Sequence, residues 1–168
     1  AVEGAVPLFR TSAMRDTLLE GHLIDPKFFW YGEDFDFAWR MRLRGWQHIY
    51  APQAMAWHDR QTTQRTRKGL GDFIRLRRKI PLFKRRLGWR NTTLSIISND
   101  YLSNLLRDLP YILGYHIPLW LYFTIFEPVM YLELFTVLRL LPYILKRRQK
   151  IMRKSIVLAS QMHSWFQK

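Results

Sequence analysis

Cysteine is absent from the 168 residues, which excludes a disulfide framework and a thiolate zinc site and suits a reducing compartment. Acidic groups are scarce: 13 Asp and Glu stand against 27 Lys and Arg, a net charge of +14. No zinc finger, aromatic RNA-binding motif, KH loop or internal repeat is visible, so nucleic acid is not the expected partner despite that charge. No metal-binding Asp-x-Asp precedes residue 30. The chain opens on Ala with no signal-like pattern, which fits a portion of a longer protein.

The charge is unevenly placed. Residues 1–60 hold 7 basic and 8 acidic groups, residues 61–108 hold 12 and 3, and residues 109–168 hold 8 and 2. A near-neutral portion is thus followed by a basic, apolar one, the asymmetry of a chain that meets an anionic surface. It divides the sequence into 1–68, a basic amphipathic region 69–108, and apolar, basic helices over 109–168.

The most informative run is Phe29-Trp30-Tyr31-Gly32-Glu33-Asp34-Phe35-Asp36-Phe37-Ala38-Trp39-Arg40. Gly32 supplies a turn, and a helix is predicted from Glu33 or Asp34 to about Arg44, closed by Gly45. Carboxylates in a first helical turn face the positive end of the macrodipole and stay ionised, as a general base requires. The same acids also read as ordinary N-cap and first-turn residues. Arg40 follows Asp36 by four positions and is expected to pair with it on one helical face.

Elsewhere, residues 4–10 read as a short buried strand, followed by a helix from Thr11 or Ser12 to about Leu19 with Gly21 as its stop. Asp25-Pro26 reads as a turn, and residues 46–57 as one or two short strands leading to His58. Residues 59–68 read as a polar, basic loop. Basic and apolar residues then interleave over 73–90, with Pro81 dividing two helices that suit an anionic bilayer surface. Residues 110–126 and 129–145 are apolar runs interrupted by Pro110, Gly114, Pro118 and Glu127-Pro128. Glu133, Thr136 and Arg139 are spaced to form a polar stripe. Basic clusters flank both sides, so the region crosses a membrane zero or two times, and kinked helices lying in the interface are expected. A soluble helical core is the alternative. A further amphipathic helix is predicted over the last twenty residues.

Gly4-Ala5-Val6-Pro7-Leu8-Phe9-Arg10, Leu23-Ile24-Asp25-Pro26-Lys27-Phe28-Phe29, Gly32-Glu33-Asp34-Phe35-Asp36 with Arg40, Gly45-Trp46 and Ala56-Trp57-His58 occur in that order. Together they resemble the C-terminal half of family 2 glycosyltransferases of the GT-A fold, most similar to bacterial rhamnosyltransferase-like members. The resemblance covers residues 4–60 and continues loosely through Trp89-Arg90-Asn91. It implies an α/β domain followed by a mainly α-helical, membrane-associated tail. It also implies an inverting transfer of sugar from a nucleotide-sugar donor to a hydroxyl of a lipid-linked or cell-surface glycan. The place would be the cytoplasmic face of the bacterial inner membrane, held peripherally to an anionic surface.

Residue by residue, the resemblance makes Asp34 the general base with Glu33 beside it. It places Trp30, Asp36 and Arg40 with the acceptor, and gives His58 to a Mg²⁺ or Mn²⁺ ion. His58 reads equally as a structural histidine at a strand end, and half of such a metal site is missing. Gln-x-x-Arg-Trp, the mark of processive polysaccharide synthases, is also missing, which favours addition of one or a few sugars. The reading from another class is a non-catalytic basic module that binds membrane or nucleic acid, with the acids merely capping a helix.

Overall fold

The computed structural model describes residues 7–55, 57 and 70–165. Among them the regular structure is helical: α1 (Thr11–Asp16), α2 (Glu33–Leu43), α3 (Leu70–Lys79), α4 (Leu82–Asn99), α5 (Leu102–Phe126), α6 (Met130–Arg153) and α7 (Ala159–Ser164). The expected α/β architecture is therefore corrected to a mostly α-helical one. Among the described residues the only β feature is an isolated antiparallel bridge between Leu19 and His22. Residues 7–10 and 46–55 carry strand-like composition but form no ladder. A strand is stable only beside a partner that takes up its backbone groups and covers one face. Ile49, Tyr50, Met55 and Trp57 instead stand exposed. Residues 4–6 of the first expected strand, His58 and the expected 59–68 loop lie outside the described residues.

Helix α2 starts and stops where its glycines permit. Gly32 adopts φ +96° as its N-cap and Gly45 adopts φ +81° just past its end, conformations open to glycine at little cost. Phe37, Ala38, Trp39, Met41 and Leu43 are all buried, so the helix is enclosed on most sides. Pro81 separates α3 from α4, since it lacks the N–H that a continuous helix needs. α5, by contrast, runs through Pro110 and Pro118 without a break.

α4 and α6 form the most extensive helix pair, and α2 packs on α4. They run in the same direction. Arg86 near the start of α4 binds Glu133 near the start of α6, while Arg147 reaches Ser98 and Arg148 reaches the Ile97 carbonyl near their ends. α5 returns the other way. Its last turn brings Phe123 against Trp89, and its first turn is held by a hydrogen bond from Asn104 to the Ala159 carbonyl. The chain segments 1–68, 69–108 and 109–168 all contribute to one apolar cluster, in which Trp39 and Leu43 meet Ile96, Ile151 and Met162.

Candidate functional site

Residues 28–32 form a loop with unusual backbone. Phe29 (φ +59°), Tyr31 (φ +75°) and Gly32 (φ +96°) are all left-handed. Two of these carry side chains, and each such residue costs of order 1–3 kcal/mol, held only if the surroundings enforce it. The enforcement comes from Asn91 on α4, fully buried, whose Nδ2 donates to the carbonyls of Phe28 (2.8 Å), Trp30 (3.0 Å) and Tyr31 (2.7 Å). Two amide hydrogens are shared among three carbonyls. Gly88 lets the loop come close: a Cβ there would lie 3.3 Å from the Tyr31 ring.

The loop presents aromatics outward. Phe29 is 79% exposed and Trp30 46% exposed. Trp30 stacks on Phe83 of α4 at 5.7 Å and carries the Lys84 ammonium 5.4 Å from its ring centroid. Immediately after it comes the acidic start of α2. Asp34 Oδ1 accepts the Phe35 N–H at 2.8 Å. Glu33 Oε2 is buried, and no described group donates a hydrogen bond to it. A buried carboxylate oxygen lacking a donor is costly unless something supplies one, and the hydroxyl of a bound molecule would.

Asp36 and Arg40 occupy a different environment. Arg40 Nε donates to Asp36 Oδ2 at 3.0 Å, the i, i+4 pair expected from spacing. Arg147 from α6 donates to the same Oδ2 at 2.6 Å and to Ser98 Oγ at 2.7 Å. Its Nε lies 2.8 Å from Asp25 Oδ2, an ion-pair contact without hydrogen-bond alignment. Asn99 donates to Asp36 Oδ1 at 2.7 Å, Tyr143 donates to Asp25 Oδ2 at 2.9 Å, and Arg40 also holds the carbonyls of Thr17 and Leu23. Two carboxylates and two guanidiniums thus neutralise one another in the interior, where Asp36 is 1% exposed and Arg147 3%. Burial pushes the Asp36 carboxyl up, but the Arg147 and Arg40 charges outweigh it and hold it below the usual range. Of the five acidic-run residues assigned by resemblance, Trp30, Glu33 and Asp34 therefore cluster at the surface, whereas Asp36 and Arg40 lie in this buried quartet.

The sequence runs that contain Asp25 and Asn91 give no sign of these roles, and Arg147 stands in none, because the partners concerned lie about fifty to over a hundred positions away. Removing the Asn91 amide by Asn91→Ala is expected to cost about 2–3 kcal/mol, because three loop carbonyls lose their donor while the left-handed residues remain. Denaturant unfolding measures this, and limited proteolysis should cut within 28–32. A loss within about 0.5 kcal/mol of zero would show that the loop holds itself.

Among the described residues no trio of His, Asp or Glu comes together to hold a metal ion, and His58 lies outside them. Comparison of the chain with protein-family models, curated proteins and solved structures gave no match.

Proposed function

We propose that the chain is the acceptor-side portion of an inverting glycosyltransferase, acting on a lipid-linked or cell-surface glycan at the cytoplasmic face of a bacterial inner membrane. The observation that supports this is the undonated, buried oxygen of Glu33, next in sequence to Asp34 and directly after an aromatic shelf on a clamped loop. A sugar ring suits such a shelf: its apolar face lies on Trp30 while its hydroxyls meet the carboxylates. Glu33 accepts one hydroxyl and orients the acceptor. Asp34 removes the proton of the attacking hydroxyl as that oxygen bonds to the anomeric carbon. The bond from that carbon to the diphosphate breaks on the opposite face, and its electron pair leaves with the nucleoside diphosphate. This reading calls for a nucleotide-sugar donor and a Mg²⁺ or Mn²⁺ ion at His58. The residues described do not assemble an ion site, so no step is assigned to the ion.

The test is transfer of labelled sugar from a panel of nucleotide sugars to extracted membrane lipid by the intact protein, wild type against Asp34→Asn. Product from the wild type and none from the variant is expected. Equal turnover would remove Asp34 from the mechanism. No transfer and no donor binding by calorimetry would leave the binding-module reading in its place.

A further inference from the structure

α5 carries the largest run of apolar side chains left uncovered. Ten of its large apolar residues are exposed, among them Leu106, Leu113, Ile117, Leu121, Ile125 and Phe126. Leu106, Leu113, Ile117 and Leu121 share one side of the helix, and an apolar stripe of this kind marks an interaction face. At 25 residues α5 is long and apolar enough to cross a membrane, and only 17% of its most apolar window is buried.

The charge around this face selects its occupant. Arg78 and Lys79 of α3, Lys146 and Arg153 of α6 and Lys154 just past its end are exposed, within a segment whose net charge is strongly positive. Exposed cations beside an apolar, aromatic-bearing helix match anionic headgroups above acyl chains.

The way α5 is tied decides its orientation. Its start follows directly from the end of α4, where Tyr101 binds Ser155 and the Val157 carbonyl. Its end, at Glu127, is gripped by Arg77 of α3 (2.9 Å), by Arg85 in the first turn of α4, and by Tyr122 Oη (2.9 Å). The two ends of α5 thus coincide with the two ends of α4. A crossing α5 would take α4 across with it, and with α4 the helix packed along it, α6, which carries the exposed Arg139 near its middle. Such a charge costs about 2.5–3.5 kcal/mol at the centre of a bilayer on insertion scales. The company α5 keeps therefore disfavours a crossing.

We propose that α5 lies in the plane of an anionic bilayer, its exposed face among the outer acyl segments, with α4, α6 and α2 above it in water. The end of α5 is also the end of the bundle that carries the candidate site. Phe73 of α3 meets Tyr122 at 5.5 Å and Tyr122 meets Phe126 at 5.1 Å, while Trp30 stacks on Phe83, two residues from Arg85. The 28–32 loop, packed on the start of α4, therefore sits over that end of α5 on its headgroup side, where a lipid-held acceptor reaches Glu33 and Asp34. That last clause rests on the glycosyl-transfer reading, whereas the membrane placement does not.

Because the chain has no cysteine, single substitutions can be spin-labelled without background. Nitroxides at Leu106→Cys, Leu113→Cys, Ile117→Cys, Leu121→Cys and Ile125→Cys report depth by their relative relaxation with oxygen and a water-soluble nickel complex. Phe29→Cys reports the loop and Arg15→Cys serves as the aqueous reference. The membrane is phosphatidylcholine vesicles with and without phosphatidylglycerol. All five α5 labels should sit at one shallow level, roughly 5–10 Å below the headgroups, only when phosphatidylglycerol is present. The Phe29→Cys label should lie at the headgroups and the Arg15→Cys label in water. A profile deepest at Ile117→Cys and rising to opposite surfaces overturns the in-plane placement. Labels that stay aqueous overturn the lipid as occupant, and spin–spin broadening in that case identifies a second copy of the chain. An aqueous Phe29→Cys label beside shallow α5 labels overturns delivery from the bilayer alone, whatever turnover shows.

Discussion

Arg147→Ala should lower the free energy of unfolding by about 3–5 kcal/mol, the range for removing one partner of a buried ion pair. Arg147 is the group through which α6 joins α2 and the 25–28 turn. It bonds Asp36 and Ser98, meets Asp25, and lies 5.2 Å over the Phe28 ring. Without it Asp25 and Asp36 remain in the interior facing Arg40 alone, with one carboxylate uncompensated. Arg147→Lys keeps the charge but loses the planar fork that serves three partners, so an intermediate loss is expected. Denaturant unfolding of the three proteins measures the order. A loss below about 1 kcal/mol for Arg147→Ala would mean that water enters the cluster and that it does not hold the fold.

The same cluster sets the acid limit of stability. Asp36 is held below its ordinary range in the folded chain, despite burial, by Arg147 and Arg40. Between the unfolded and folded values the unfolded chain binds more protons, so stability rises with pH there. The contribution is present above the unfolded value of about 4 and is lost as pH falls through the folded one. Arg147→Ala should therefore move the acid-unfolding midpoint to higher pH. A second, shallower window lies above it. Burial and the neighbouring Arg42 pull His48 down to about 4, and Arg42 Nε donates to its Nδ1 at 3.2 Å. A depressed histidine binds its proton first in the unfolded chain, so stability declines as pH falls from about 6.5 toward 4. His48→Gln should flatten that upper window and leave the lower one unchanged, as thermal melts against pH would report.

How much of this could be read from the sequence depends on the range of the interaction. Helix α2 was legible because its determinants are local: Gly32, three acids in one turn, an Asp36–Arg40 pair and Gly45. Pro81 likewise marks the α3–α4 break. The expected strands are not found among the described residues because composition describes only what a segment would do beside a partner, and residues 46–55 have none there. Pro110 and Pro118 read as interruptions, yet α5 continues through them, its remaining turns and both tethered ends outweighing two lost backbone bonds. Glu133 was placed on a stripe with Thr136 and Arg139 by spacing alone. Its partners, Arg86 and Arg90, belong to another helix. Four arginines of the basic run, Arg77, Arg85, Arg86 and Arg90, bind Glu127 and Glu133 internally, so the charge offered to a surface is smaller than the sequence count.

Asp34→Asn should reduce turnover by about 10²–10⁴-fold, the span that positioned proton transfer contributes. The substitution keeps the size of the side chain and an oxygen able to accept the Phe35 N–H, so folding stability and donor affinity should stay near wild type. What it removes is the capacity to take a proton. Glu33→Gln gives the contrasting result. Its amide still meets a hydroxyl at the buried position of Oε2, so KM for the acceptor should rise while kcat falls far less. The pair separates a base from a positioning group, which a stability measurement alone would not. If instead Glu33→Gln loses kcat and Asp34→Asn loses only acceptor affinity, the two roles are exchanged. If neither substitution alters turnover, the acids serve α2 as capping charges and the site of chemistry lies elsewhere.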